Sequence, residues 1–266
     1  MVRKALGVPE IMASKGQRRL VMVTCYDATF ARLVEAAGVD MVLVGDSLGM
    51  VIQGQPNTLG VTLDQVAYHT KCVAAGLQAT HLVADMPFLT YQVSPEEALR
   101  NAGRLVAECG AHAVKMEGGR RTAPAIRRCV ESGIPVMGHL GLTPQSVHQF
   151  GGFRVQGRGA EAAELLVEDA RALVEAGIYS LVLESVPKEL AARITREVPV
   201  PTIGIGASAA CDGQVLVLYD LLGMDDSFQP RFLKKYLRLA DTIPGAIREY
   251  AREVREGVFP DDDHSF

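Results

Sequence analysis

Short apolar runs that end on a polar residue recur along this chain. The clearest is Val42-Leu43-Val44-Gly45-Asp46-Ser47-Leu48-Gly49-Met50. Adjacent branched apolar residues predict a strand buried on both faces. Gly45 stops the run, Asp46 and Ser47 follow at once, and Gly49 allows a sharp turn. The same pattern returns at Leu82-Val83-Ala84-Asp85, Ala113-Val114-Lys115-Met116-Glu117, Val136-Met137-Gly138-His139 and Leu181-Val182-Leu183-Glu184. Strands are expected at 19–24, up to Gly45, at 81–85, 113–117, 135–139, 180–184 and 202–206, with a short eighth run at 215–218.

Helical periodicity fills the intervals. Asp27 is placed to cap a helix reaching Ala37, and Thr62 one reaching Ala75. Ser94-Pro95-Glu96-Glu97 is a helix start built from a cap, a first-turn proline and acids set against the dipole. Further helices are expected at 122–132, 160–176 and 187–198, and terminal ones at 230–239 and 243–256. The glycine-rich stretch 140–159 is long for a connection inside a compact domain and reads as a lid.

Eight strand–helix steps over 266 residues match a single-domain (β/α)8 barrel spanning 1–266. An open doubly wound sheet is the competing arrangement. Closure is favoured because polar residues end at least five strands, and a ring brings those ends together. The turn Gly204-Ile205-Gly206-Ala207-Ser208 also comes late, where barrels often place phosphate loops. A lone Gly-x-Gly there is weak support for a dinucleotide.

Composition narrows the function. A net charge of −4 with no basic stripe argues against a nucleic-acid partner. No apolar run is long enough to span a membrane. The five cysteines, at 25, 72, 109, 129 and 211, contain no CxxC pair. They read as reduced, buried thiols of a cytoplasmic protein.

Candidate chemistry sits at the strand ends. Asp46, Asp85 and Glu117 would repel one another in water-poor space and call for a compensating cation. Hard oxygen ligands without a His or Cys set favour Mg2+. The plainer alternative is that each acid caps a helix. Lys115, two residues before Glu117, points the same way along its strand. It suits a substrate carboxylate, or an ordinary ion pair. Ser47 is a donor to the same ligand or a turn residue. His139 is placed to orient an oxyanion or a water. Glu184, in an apolar Val-Leu-Glu-Ser-Val setting, is the candidate general base, or a capping acid. Together these suit a Mg2+-bound 2-oxo acid whose neighbouring carbon loses a proton to Glu184; the metal-held enolate then attacks an electrophilic carbon.

The motifs Val-Gly-Asp46-Ser47-Leu-Gly-Met, Ala-Asp85-Met-Pro-Phe, Val-Lys115-Met-Glu117-Gly-Gly, Gly-His139-Leu-Gly-Leu-Thr-Pro-Gln, Phe-Gly-Gly-Phe-Arg-Val-Gln-Gly-Arg and Leu-Glu184-Ser-Val-Pro resemble the ketopantoate hydroxymethyltransferase (3-methyl-2-oxobutanoate hydroxymethyltransferase) family over nearly the whole chain. The resemblance implies a phosphoenolpyruvate/pyruvate-type barrel and a Mg2+-dependent transferase on the route to pantothenate and coenzyme A. It implies 2-oxoisovalerate as acceptor and 5,10-methylenetetrahydrofolate as one-carbon donor. By motif position it puts Asp46, Asp85 and Glu117 on the metal, Asp46, Ser47, Asp85 and Lys115 on the substrate, and Glu184 as proton acceptor. It also implies a homo-oligomer, a decamer of two five-membered rings. Ser208 stands where the family usually has glycine. A left-handed conformation there would cost the serine about 1 kcal/mol.

Two rivals remain at this level. One is a carbon–carbon lyase or mutase of the same barrel group, which a cysteine-bearing loop would mark. The other is a non-catalytic 2-oxo acid binder, which would have no use for Glu184.

Overall fold

A computed structural model describes residues 6–225, 227 and 229–256. The chain forms two compact units, Met1–Val217 and Leu218–Phe266. The first is a closed barrel of eight parallel strands in sequence order. The strands are β1 (Leu20–Thr24), β2 (Met41–Val44), β3 (His81–Asp85), β4 (Ala113–Glu117), β5 (Val136–Gly141), β6 (Ser180–Glu184), β7 (Thr202–Ile205) and β8 (Gly213–Leu216). Closure is the pairing of β1 with β8, Leu20 opposite Gly213. A Cβ on Gly213 would stand 2.5 Å from the Leu20 carbonyl oxygen, so the seam needs a residue without a side chain. That pairing removes the open-sheet alternative.

The helices follow their sequence signals. In α2 (Ala28–Ala36) the Asp27 carboxylate accepts from Thr29 N and Phe30 N. In α4 (Leu63–Ala74) Thr62 and Gln65 form a reciprocal capping box. Ser94 caps α5 (Pro95–Ala107) through Glu97 N. Next come α6 (Ala123–Glu131), α8 (Ala160–Glu175) and α9 (Lys188–Glu197). Among the short helices not expected from sequence are α1 (Val8–Ala13) and α3 (Leu48–Val51). The first contributes Ile11, fully buried, to the barrel core.

That core shows how the strand period builds the site. Met41 and Leu43, Val83, Ala113, Met137, Val182, Ile203 and Val215 belong to one buried cluster, each an inward-facing position of its strand. Stepping two residues onward along each strand, as the pleat requires, reaches Asp85, Lys115, His139 and Glu184. A further step along β4 reaches Glu117. The polar site is therefore the next layer of the same apolar stack.

The stretch 140–159 is more ordered than a lid reading implies. Strand β5 runs on to Gly141, a 3-10 turn covers Pro144–Ser146, and α7 (Val147–Phe150) follows. Gly151, left-handed at φ 66, caps that helix. The expected strain at Ser208 is absent: among the described residues the only non-glycine residues with positive φ are Leu89 and Ser185. Gly206 takes the left-handed position at φ 59, and Ser208 Oγ accepts from Ala210 N at 3.1 Å. The described cysteines are free thiols, four buried and Cys72 half-buried.

In the second unit, α10 (Leu218–Leu221) and α11 (Leu239–Glu256) are helical. Residues 231–238 are turns and irregular backbone, which corrects the expected helix there. Their amides bond elsewhere: Tyr236 N donates to Leu221 O at 2.8 Å. Helix α11 starts earlier than expected and carries Pro244 inside it. Ile243, Ile247 and Tyr250 are exposed along it, at the spacing of one helical face.

At the opposite end of the barrel from the polar layer, His81 opens β3. Its ring is buried between Leu6 O and the Tyr179 hydroxyl, both 3.1 Å away. It also stacks on His112 at 5.3 Å. Burial, with help from His112, holds its pKa down at about 4, against about 6.5 for an unfolded histidine. Between those values the unfolded chain takes up a proton that the folded chain refuses, so stability falls as pH falls. The expected loss from His81 at pH 4.5, relative to pH 7, is about 2.5 kcal/mol. Urea unfolding of wild type and His81→Gln at the two pH values measures it. Equal pH slopes for the two proteins would overturn the assignment.

Candidate active site

Five consecutive strands deliver polar side chains to one rim. Asp46 follows β2, Asp85 ends β3, Lys115 and Glu117 lie on β4, His139 on β5 and Glu184 ends β6. Register brings them side by side: Asp85 opposes Lys115, and Glu117 opposes His139. Asp46, Asp85, Lys115, Glu117 and His139 are all buried.

Lys115 sits in the middle. Its Nζ is 2.9 Å from Asp85 Oδ1 and 3.4 Å from Glu117 Oε1. It also lies 3.3 Å from His139 Nδ1. Burial works against its charge, but Asp85, Glu117 and Asp46 together push its pKa up. The ammonium thus supplies part of the compensation that the sequence reading assigned to a metal alone. Glu117 is raised by burial, but Lys115 and His139 outweigh that and hold it low. Its two oxygens are committed, Oε1 to Lys115 and His139, Oε2 to Gln145 N at 3.1 Å.

Asp46 and Asp85 differ from Glu117. Burial, then the charges of Asp85 and Glu117, pushes Asp46 well above the usual carboxylate range. Burial also raises Asp85, against the pull of Lys115. Asp85 Oδ2 accepts from Asp46 N at 3.2 Å. Its other oxygen, Oδ1, lies 2.9 Å from the Lys115 ammonium, a charge-assisted contact that leaves room on that oxygen for a second ligand. Among the described residues, no three His, Cys, Asp or Glu side chains are drawn together as a metal-ligand group.

His139 bridges the acids to Glu184. Nδ1 lies 3.2 Å from Glu117 Oε1 and Nε2 lies 3.3 Å from Glu184 Oε2. Burial and Lys115 oppose its protonation, but Glu117 and Glu184 prevail and raise it to about 9. Glu184 was expected in apolar surroundings. Its carboxylate instead adjoins this imidazole and is partly open, with 19 % of the side chain exposed. The backbone around it is tightly specified. Ser185 adopts φ 48, a costly conformation for a residue with a side chain. Across from it, Gly141 adopts φ 96, and a Cβ there would meet the Glu184 carbonyl oxygen at 2.2 Å.

Ser47 lies at the edge of the group, 2.8 Å from the Tyr26 hydroxyl. Three residues of the site, Tyr26, Tyr91 and Gln145, were not singled out from sequence. Tyr91 and Gln145 are buried. Gln145 falls inside the stretch read as a lid, and its sequence signal is that it closes the motif Gly-His139-Leu-Gly-Leu-Thr-Pro-Gln, where no role was given to it.

Comparison with known proteins places this geometry. A family model described as ketopantoate hydroxymethyltransferase matches residues 6–262. A 3-methyl-2-oxobutanoate hydroxymethyltransferase of Syntrophus aciditrophicus is 56 % identical over 96 % of this chain and 93 % of its own. One of Moorella thermoacetica is 54 % identical over 99 % and 98 %. Among solved structures, 2,3-dimethylmalate lyase, a PEP mutase/isocitrate lyase superfamily member, superposes with a TM-score of 0.61 at 15 % identity, covering 97 % of this chain and 91 % of that one. Phosphonopyruvate hydrolase in complex with oxalate and Mg++ gives a TM-score of 0.62 at 13 % identity, covering 97 % and 93 %. These two likenesses establish the barrel fold.

Proposed function

Because the chain belongs to the ketopantoate hydroxymethyltransferase family, we propose that it moves a hydroxymethyl group from 5,10-methylenetetrahydrofolate to 2-oxoisovalerate, giving ketopantoate with Mg2+ bound. The observation that carries this reading is the continuous arc from Asp46 to Glu184. It sets two buried acids, a buried cation and a partly open carboxylate on neighbouring strand ends.

The residues present fit a hard divalent ion. Asp46 and Asp85 offer oxygen ligands whose negative charge is incompletely balanced, and Glu117 supplies the third acid. When bound, Mg2+ would polarise the keto group and acidify the adjacent carbon. The remaining work falls to the chain. Lys115 offers an ammonium to the substrate carboxylate, and Ser47 a hydroxyl beside it. Glu184 takes the proton from the carbon next to the keto group. His139, in contact with both Glu117 and Glu184, holds the base in register with the acids. The carbon that has lost its proton then bonds to the methylene carbon of the folate; both C–N bonds of that carbon break, a water supplies the hydroxyl, and tetrahydrofolate leaves with its nitrogens protonated.

A homo-oligomer of two five-membered rings and a cytoplasmic location belong to the same reading. The exposed apolar face of α11 supports assembly. No helix among the described residues is long and apolar enough to cross a membrane.

The direct test is ketopantoate formation from 2-oxoisovalerate and methylenetetrahydrofolate, with and without Mg2+. Chelation with EDTA is expected to weaken 2-oxoisovalerate binding at least about 100-fold by calorimetry, since a chelated metal ion contributes several kcal/mol. Full affinity in EDTA would overturn the metal's role.

A further inference from the structure

Gln145 hydrogen-bonds to two of the acids, to Glu117 through its backbone and to Asp46 through its side chain. Its backbone N donates to Glu117 Oε2 at 3.1 Å. Its side-chain Nε2 donates to Asp46 Oδ2 at 2.9 Å and to Met86 O at 2.9 Å. Its Oε1 accepts from the Tyr91 hydroxyl at 2.8 Å and from Gln92 Nε2 at 3.1 Å. The Tyr91 hydroxyl in turn accepts from Glu117 N at 3.0 Å, and its single proton is shared between Gln145 Oε1 and Glu117 O, which is 3.0 Å away.

This pattern fixes the amide. Two acceptors face its nitrogen, and two donors face its oxygen. A flipped amide would oppose oxygen to the Asp46 carboxylate and the Met86 carbonyl, and nitrogen to the Gln92 amide nitrogen, losing those three bonds. The hydrogen-bonding capacity of Gln145 is therefore fully used, in a buried position where such bonds are strong and specific. One Asp46 oxygen is held by this neutral donor, which leaves the other for a ligand. The donor also arrives from the turn after β5, so the conformation of that turn and the orientation of Asp46 are linked.

We infer that Gln145 is a positioning residue: its amide, locked by Tyr91, sets the Asp46 carboxylate for the divalent cation. The inference rests on the metal reading above and deepens it. It names the residue outside the acid set on which cation affinity depends. Partners that orient a ligand group typically change metal affinity by about 10–100-fold when removed.

The test uses Mn2+ as a spectroscopically visible probe and reads its Kd by electron paramagnetic resonance on the full chain. Gln145→Leu keeps the volume and removes both amide groups. It is expected to weaken Mn2+ by about 10–100-fold, with a thermal midpoint in EDTA within a few degrees of wild type. A merely structural role would lower the midpoint and leave the Kd alone. Tyr91→Phe leaves Gln145 in place and removes the hydroxyl that locks it. It is expected to weaken Mn2+ by about 3–10-fold, and it decides the matter if Gln145→Leu does not fold. Wild-type Mn2+ binding with both constants within twofold in the folded variants would overturn this inference and spare the metal reading. A wild-type protein that binds no Mn2+ would overturn both.

Discussion

Glu184→Gln is expected to bind 2-oxoisovalerate within about threefold of wild type and to form ketopantoate about 10²–10⁴-fold more slowly, the usual range for loss of a positioned general base. The substitution keeps the shape of the side chain and its place beside His139, 3.3 Å away, and removes only the capacity to take a proton. A second measurement isolates the step. In D2O without folate, wild type should exchange the hydrogen on the carbon next to the keto group, and the variant should not. Binding lost together with turnover would recast Glu184 as a binding group. Exchange at the wild-type rate would remove it as the base.

Lys115→Met carries the largest expected effect on stability. The ammonium is buried against Asp85 and Glu117, with Asp46 close enough to raise its pKa. Methionine fills the space and leaves the acids without their internal cation. Removing one partner of a buried ion pair costs about 3–5 kcal/mol, which in a barrel of this size lowers the thermal midpoint by roughly 10 °C. Two further outcomes separate charge from packing. Millimolar Mg2+ should restore part of the lost stability, since a divalent ion replaces the missing charge. Affinity for 2-oxoisovalerate should fall even with Mg2+ present, since the substrate carboxylate loses its counter-charge. A midpoint within 2 °C of wild type would show that the acids are neutralised some other way.

The fold was legible because its signals are local. Each inward strand position follows from a two-residue step, and the caps at Asp27, Thr62 and Ser94 act within a few residues of themselves. The acids, Lys115, His139 and Glu184 were legible for the same reason: they continue the inward layer past the last apolar residue. What failed to show was set by distant neighbours. Gln145 matters because the barrel brings it to Asp46, 99 residues away, and nothing in its own neighbourhood reports that. Tyr91 reaches Glu117 in the same manner. The sequence put Lys115 on the same face as Glu117 and allowed an ion pair, which the structure shows with both Asp85 and Glu117. Residues 230–239 have apolar spacing that permits a helix, yet their amides bond to the end of α10. Ser208 looked strained only because the left-handed residue of its turn was misplaced by two positions, at 208 instead of Gly206.

The approach of Gly141 to the Glu184 carbonyl has a bearing on how this barrel can diverge. With a methyl group only 2.2 Å from that oxygen, even alanine would wedge two adjacent staves apart beneath the Glu184 carboxylate. A descendant that recruits the scaffold for other substrates has Ser47, Ser208 and the loop rims to vary. Its catalytic seat is closed to change at 141, because the missing side chain is what lets the carboxylate's backbone settle there.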